Sequence, residues 1–280
     1  MAKPIAVFTD LDGTLLNHHD YSYADALPAI NHLKKQNIPL VLVSSKTQAE
    51  MSALCQELSL TSPYVCENGS LIVMPAPERQ RLGVELENAE QQGDDFLIYR
   101  GANREEIVRI LAQLKRTFSF TGFADMSVHD VVNCTGLSEQ AAAKAMTRAA
   151  SEPLLWHQDE ADLADFAQHL RKHNLRVLKG GRFYHVMATC DKGDAVRYLL
   201  SLYESYYGAR VASIALGDSP NDLQMLKAVD QSVVMPHPDG TYMHDDSLTN
   251  AIRAPFEGAR GWREGVEEAL AGLTEHEEAP

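Results

Sequence analysis

The sequence has no long apolar run, no basic cluster and little cysteine, and each absence removes a class of function. Its longest hydrophobic stretches, such as residues 38–43, are strand-sized and fall far short of the roughly 20 residues that a membrane-crossing helix needs. The chain begins Met-Ala-Lys-Pro and enters a strand at once, with no apolar region followed by a small-residue cleavage site, so a cytoplasmic location is expected. Lysine and arginine number 25 against 39 aspartates and glutamates, a formal net charge of −14. Such a surface repels nucleic acid and anionic lipid, and neither is an expected partner. The four cysteines, Cys55, Cys66, Cys134 and Cys190, lie far apart with no CxxC pair, which argues against a zinc knuckle or a disulfide framework. There is no internal repeat and no low-complexity tract. If the substrate is an anion, local cations and a metal must overcome the global field.

What is present is a strand–helix rhythm. At 280 residues the chain accommodates a core domain plus an insert. A strand is expected over residues 5–9, then a helix with apolar Leu27, Ile30 and Leu33, a strand over 38–43 and a helix over 47–58. Val65 opens a third strand, and Asn68-Gly69 is a tight-turn signal before 71–74. This order predicts an α/β fold, a doubly wound, Rossmann-like parallel sheet covered by helices. From Pro75 the character shifts to a polar stretch reaching Asp95, and helices are then expected over 104–115, 139–150 and 160–173. Strand candidates lie at 154–157, 176–179 and 183–188. This portion reads as an inserted α+β cap domain with an antiparallel sheet. The first rhythm resumes with a helix from Lys192, a strand over 211–216, a helix to Ala228, a strand over 232–235 and a last helix over 261–273. The expected division is a core of 1–78 and 189–280, with the insert at 79–188.

Chemistry gathers at the ends of the core strands. Asp10-Leu11-Asp12-Gly13-Thr14 follows the first strand, at the carboxyl edge where open α/β sheets bind ligands. Gly13 permits the sharp turn that brings both carboxylates together, and Thr14 offers a hydroxyl. Crowded carboxylates raise each other's pKa unless a cation lies between them. A hard ion such as Mg²⁺ answers that need and can hold a phosphate oxygen as well. Taken alone, the string also reads as an ordinary turn with Asp12 as a helix cap. The second strand delivers Ser44-Ser45-Lys46-Thr47, whose hydroxyls, amides and cation suit a phosphate, although the run is equally a good N-cap. The strand after the insert delivers Gly217-Asp218-Ser219-Pro220-Asn221-Asp222. Asp218 stands where a further metal ligand is needed, and Asp222 is a ligand or a partner behind one. Lys192, at a helix start, can neutralise a nucleophile and a transferred phosphoryl group.

Asp10-Leu11-Asp12-Gly13-Thr14, Ser44, Lys192 and the Gly217–Asp222 segment resemble, in that order, the four motifs of the haloacid dehalogenase superfamily. The insert between the second and third motifs resembles the C2-type cap of its Cof-like phosphatases. More narrowly, Ser44-Ser45-Lys46-Thr47, Glu67-Asn68-Gly69 and Lys179-Gly180-Gly181-Arg182-Phe183-Tyr184-His185 look like the mannosyl-3-phosphoglycerate phosphatase group of mannosylglycerate biosynthesis. Most Cof-like sugar phosphatases have Thr-Gly-Arg where this chain has Ser44-Ser45-Lys46, a departure that favours the narrower group. The resemblance implies Asp10 as nucleophile, Asp12 as general acid then base, and Ser44 and Lys192 as grips on the phosphoryl oxygens. It implies Mg²⁺ held by Asp10, the Asp12 backbone carbonyl and Asp218, with Asp222 beside them, and a mannosyl- or glucosyl-3-phosphoglycerate as substrate.

Substrate contacts are expected from Ser45, Lys46, Glu67, Asn68, Gly180, Gly181, Arg182 and His185. For Gly180 to Arg182 the structural alternative is a hairpin turn with a solvated arginine, and for Asn68-Gly69 it is a turn alone. Tyr184 and His185 alternate on a strand, so only one of them faces the site. The pair His18-His19 reads as solvated. The expected partner is a phosphorylated small-molecule substrate, and the protein is expected to be a monomer or small homo-oligomer. Competing functions are a phosphatase of another sugar phosphate, a phosphosugar mutase, and a receiver-like phosphate-accepting regulator. The last is disfavoured by the long insert and by Asp12, a resident water-activating group.

Overall fold

The computed structural model describes residues 3–86, 89–180 and 182–278. Along the chain, β1 (Ile5–Thr9), α1 (Leu27–Lys35), β2 (Leu40–Leu42) and α2 (Gln48–Glu57) alternate as the apolar periodicity predicts. Then come β3 (Tyr64–Cys66), β4 (Leu71–Pro75), α3 (Ala76–Leu82), β5 (Ala89–Gln92) and β6 (Asp95–Tyr99). The next stretch holds α4 (Arg104–Leu114), β7 (Phe120–Gly122), α5 (Val128–Thr135), α6 (Glu139–Met146) and β8 (Ser151–Trp156). It closes with α7 (Leu163–Arg171), β9 (Leu175–Lys179) and β10 (Tyr184–Ala188). The chain ends with α8 (Lys192–Tyr207), β11 (Ala212–Gly217), α9 (Leu223–Lys227), β12 (Gln231–Val234), β13 (Ile252–Arg253) and α10 (Gly258–Glu278).

Five strands form one parallel sheet in the order β13-β12-β11-β1-β2. Alternate side chains of each strand enter opposite cores, because the side-chain period of a strand is two. Val7, Leu40, Leu42, Ile214 and Leu216 pack in the core that also holds Ile30, Leu33 and Trp262 of α1 and α10. Phe8, Val41 and Ala215 pack in the other, with Val196, Leu199 and Tyr203 of α8. The sheet is therefore doubly wound, as expected. The chain leaves β1 toward β2 on one side, while β11 lies on the other. The carboxyl ends of β1 and β11 are thus adjacent at the point where strand order reverses, the usual place for a ligand in such sheets.

Two antiparallel sheets complete the fold. One has the order β3-β4-β6-β5 and the other β7-β8-β10-β9. The third strand was expected to extend the parallel sheet; β3 instead pairs antiparallel with β4 and meets the parallel sheet through a single bridge, Val43 to Val65. The boundary expected near residue 79 falls inside α3, and β5 and β6 beyond it pair with β4 rather than with the second antiparallel sheet. That second sheet has its own core around Ile107, Leu111, Phe120, Leu154, Phe166 and Val186. The helix expected over 139–150 stops at Met146. Its continuation is prevented by a competing acceptor: the amides of Ala149 and Ala150 donate to the carboxylate of Glu67.

Candidate active site

Asp10 follows β1 directly, and its amide donates to the Leu216 carbonyl of β11 at 3.0 Å, which ties the ends of the two strands together. The turn beyond it closes through Thr14 N–H and Leu16 N–H on the Leu11 carbonyl. Gly13 has φ +76, and a Cβ there would come within 2.9 Å of Asp218 Oδ2, so glycine is needed for conformation and for close approach alike. Thr14 donates its hydroxyl to Asp218 Oδ1 at 3.3 Å.

Lys192 opens α8, behind an Asp191 cap, and is fully buried. Its ammonium donates to Asp10 Oδ1 at 2.6 Å and to Asp222 Oδ1 at 2.5 Å. The other oxygen of Asp222 accepts from the amides of Asp218 at 3.2 Å and Ser219 at 3.1 Å. With both oxygens engaged, Asp222 braces Lys192 and the Asp218 loop. The buried residues Asp10, Asp218 and Asp222 bring carboxylate oxygens within 4.8 Å of one another.

The electrostatics of this group are unbalanced. Burial, then the charge of Asp222, pushes Asp10 up to about 8 against the pull of Lys192. Burial and Asp222 likewise raise Asp218. Burial pulls Lys192 down, but the charges of Asp10 and Asp222 outweigh it and keep the ammonium protonated. One buried cation thus faces three carboxylates, a deficit that a divalent cation fits and that an all-oxygen donor set suits. The side chains of Asp10 and Asp218 are the residues free to hold it, since those of Asp222 are taken by Lys192 and the loop amides.

Asp12 stands apart from this trio. Its Oδ2 pairs with Lys46 Nζ at 2.8 Å, and its buried Oδ1 has no partner. Burial is the largest single influence on Lys46 and lowers its pKa, but the charge and hydrogen bond of Asp12, with Glu50 and Tyr21, together raise it. Ser44 is buried, its amide held by the Val65 carbonyl at 2.9 Å, and its Oγ accepts from the Lys46 amide at 3.3 Å. The N-cap reading of this run holds as well: Thr47 and Glu50 form a reciprocal capping box on α2. Lys46, expected as a substrate contact, is held on Asp12.

The other expected substrate contacts have different surroundings. Glu67 is fully buried, and its carboxylate accepts from Ala149 N–H at 2.7 Å, Ala150 N–H at 3.2 Å and the Ser151 hydroxyl, with Arg148 Nη1 3.8 Å away. Those donors come from the residues just before β8 and from its first residue. Asn68 accepts from Asn221 Nδ2 at 3.2 Å, next to the Asp218 loop. Arg182 donates to the carbonyls of Cys134 and Thr135 and so caps the end of α5. Gly180 closes the hairpin of β9 and β10 through its amide on the Phe183 carbonyl at 2.8 Å. Gly181 lies outside the described residues. His185 lies on β10 with a buried Nδ1 that has no partner. Burial, and then Arg148, push it down to about 3, so it is neutral. Among the described residues, no hydrogen bond or ion pair joins Gly180, Arg182 or His185 to the Asp10 group.

Two neighbours carry contacts that sequence reasoning did not find. His18 is exposed, as expected, yet its Nε2 lies 4.0 Å from Asp218 Oδ2. Arg148 reaches the Ser45 carbonyl at 3.4 Å from the far side of the chain. Neither has a local signal, since both contacts join residues more than 100 positions apart.

The haloacid dehalogenase-like hydrolase family matches residues 7–238. A Persephonella marina protein named glucosyl-3-phosphoglycerate/mannosyl-3-phosphoglycerate phosphatase is 37% identical over 263 residues, covering 94% of this chain and 96% of that protein. A Methanococcoides burtonii protein of the same name is 37% identical over 262 residues, covering 93% and 95%. Among solved structures, a Bacteroides thetaiotaomicron phosphatase superposes with a TM-score of 0.65 at 16% identity, covering 97% of this chain and 96% of that one. A Thermotoga maritima protein gives 0.63 at 16% identity, covering 95% and 97%. The structural likeness concerns the fold.

Proposed function

The chain belongs to the haloacid dehalogenase-like hydrolase family, and from that premise we propose that it is a Mg²⁺-dependent phosphatase of a glucosyl- or mannosyl-3-phosphoglycerate. The observation that carries the reading is the buried cluster in which Lys192 bridges Asp10 and Asp222 while Asp218 stands beside them. Such a cluster holds one carboxylate oriented and partly neutralised at a strand end, as a carboxylate nucleophile requires.

In the first step an oxygen of Asp10 attacks phosphorus, the bond from phosphorus to the glycerate oxygen breaks, and Asp12 gives that oxygen a proton. In the second, Asp12 takes a proton from water, the water oxygen attacks the aspartyl-phosphate, and inorganic phosphate leaves with the Asp10 carboxylate restored. Asp12 suits both roles, because Lys46 fixes one oxygen and leaves the buried Oδ1 without a partner. Ser44 and Lys192 hold the phosphoryl oxygens. Asp10, Asp218 and the Asp12 backbone carbonyl would hold Mg²⁺, which supplies charge neutralisation on those oxygens.

The portion built on the second antiparallel sheet serves as the cap over this site, with His185 its candidate substrate contact. We take the protein to be cytoplasmic and a monomer or small homo-oligomer; no helix among the described residues is long and apolar enough to cross a membrane. Turnover of a panel of phosphate monoesters with Mg²⁺ tests the reading. Glycosyl-3-phosphoglycerates should give the highest kcat/KM. If simple hexose phosphates are hydrolysed as fast, the substrate is a different sugar phosphate. A hexose phosphate isomerised rather than hydrolysed would make the protein a mutase.

A further inference from the structure

Glu67-Asn68-Gly69 is an unusual turn, because all three residues have positive φ, at +51, +57 and +100. For the two residues that are not glycine this conformation is disfavoured, and it persists only where surrounding contacts enforce it. Those contacts reach the site from several sides. The Glu67 amide donates to the Lys46 carbonyl at 3.0 Å, and the Asn68 amide to the Ser44 carbonyl at 2.9 Å. The Asn68 side chain meets Asn221. A Cβ on Gly69 would lie 2.1 Å from the Asp191 carbonyl oxygen and 2.8 Å from the Lys192 amide, so the turn sits directly against the start of α8.

The Glu67 side chain faces the other way, into the insert. Its carboxylate collects the amides of Ala149 and Ala150 and the Ser151 hydroxyl, with Arg148 alongside. Arg148 in turn donates to the Ser45 carbonyl, and Thr47 donates its hydroxyl to the Lys144 carbonyl at 2.9 Å. A carboxyl group with no exposure must find its donors within the protein, and every donor here comes from residues 148–151. Lifting that segment would leave the Glu67 oxygens without partners and release the turn that holds the carbonyls of Ser44 and Lys46.

We infer that Glu67 is a positioning residue: seated on residues 148–151, it fixes the loop that carries Ser44 and Lys46, and so couples insert docking to the placement of the phosphoryl grip and of Asp12. The inference rests on the phosphatase reading for its kinetic consequence.

The test is Glu67→Gln, which keeps the shape but places an NH₂ group among donors. Activity is taken per folded molecule by circular dichroism, with p-nitrophenyl phosphate and mannosyl-3-phosphoglycerate as small and large substrates. A misplaced loop should lower kcat roughly 10- to 100-fold by the same factor for both, with KM little changed. A rise in KM confined to the large substrate would make Glu67 a direct substrate contact and overturn the inference. A lower melting temperature with unchanged kcat would reduce it to a packing residue and overturn it equally. Should the native protein hydrolyse neither compound, the phosphatase reading falls, and amide hydrogen exchange still decides the coupling. The amides of Ala149, Ala150, Ser44 and Lys46 should then exchange faster together in the variant; acceleration at 149 and 150 alone would refute it.

Discussion

Removing Lys192 should cost more than any other single change in the site, and the structure says how much. Its ammonium is fully buried between Asp10 and Asp222, so Lys192→Met leaves two buried carboxylates facing each other without a cation. Breaking a buried pair by deleting one partner costs about 3–5 kcal/mol. The entropy of unfolding, about 2.1 cal/mol/K per residue, sums to about 0.6 kcal/mol/K for this length, so the melting temperature should fall by about 5–8 °C. The loss depends on pH. Without Lys192 the carboxyls hold a proton more tightly when folded than when unfolded, and such stability drains away as pH rises. The fall should therefore be larger at pH 8 than at pH 5. A second change, Asp222→Asn, removes one of the stranded charges and should restore at least half of the loss. Thermal melts of the single and double variants in EDTA measure all of this. A shift below about 2 °C at pH 8, or a double variant no more stable than the single, would refute the reading of Lys192 as the counter-charge of the cluster.

Metal should reverse the same pH trend. With the Asp10 carboxyl at about 8 when folded against 3.8 unfolded, the metal-free fold holds a proton that the unfolded chain lacks and weakens as pH rises through that window. Mg²⁺ displaces that proton, so its stabilisation by scanning fluorimetry should be greater at pH 8 than at pH 5.5; equal shifts would contradict this. His185 works in the opposite sense. Held at about 3 when folded, against 6.5 unfolded, it makes stability drain away below pH 6.5, by up to about 1.4 kcal/mol per pH unit. His185→Gln should flatten that acid slope in urea titrations, and an unchanged slope would assign it to other groups. Arg182→Ala should leave KM for the substrate unchanged and cost about 1 kcal/mol through the lost cap on α5; a raised KM would return Arg182 to the substrate site.

Much of the core was legible because short-range patterns carry it. Apolar runs such as Ile5–Thr9 mark strands buried on both faces, and the strands place Asp10 and Asp218 at adjacent ends once the sheet is doubly wound. Other features had no local signature. Ala89–Gln92 is polar along most of its length, so its pairing to β6 comes from tertiary contact and not from periodicity. Residues 147–150 continue a helical composition, but distant partners take their backbone groups: the Glu67 carboxylate accepts from the Ala149 and Ala150 amides, and the Arg104 amide donates to the Ala149 carbonyl. Lys46, Glu67 and Arg182 stand out in the sequence as charged residues in special strings, but a sequence cannot show which partner a charged side chain meets. Lys46 meets Asp12, 34 positions away, and Glu67 meets the insert more than 80 positions away, separations at which residue type signals charge but not its partner.

Asp10 is the centre of the account, and trapping its phosphorylated form tests it most directly. Borohydride reduces an acyl phosphate to the alcohol, so quenching steady-state turnover with it in the presence of Mg²⁺ should convert residue 10 to homoserine. Peptide mass spectrometry should find that change at Asp10 alone, dependent on substrate, with Asp12 and Asp218 untouched. Phosphate release at full rate with Asp10 unmodified, or with the mark on Asp12, would contradict the assignment.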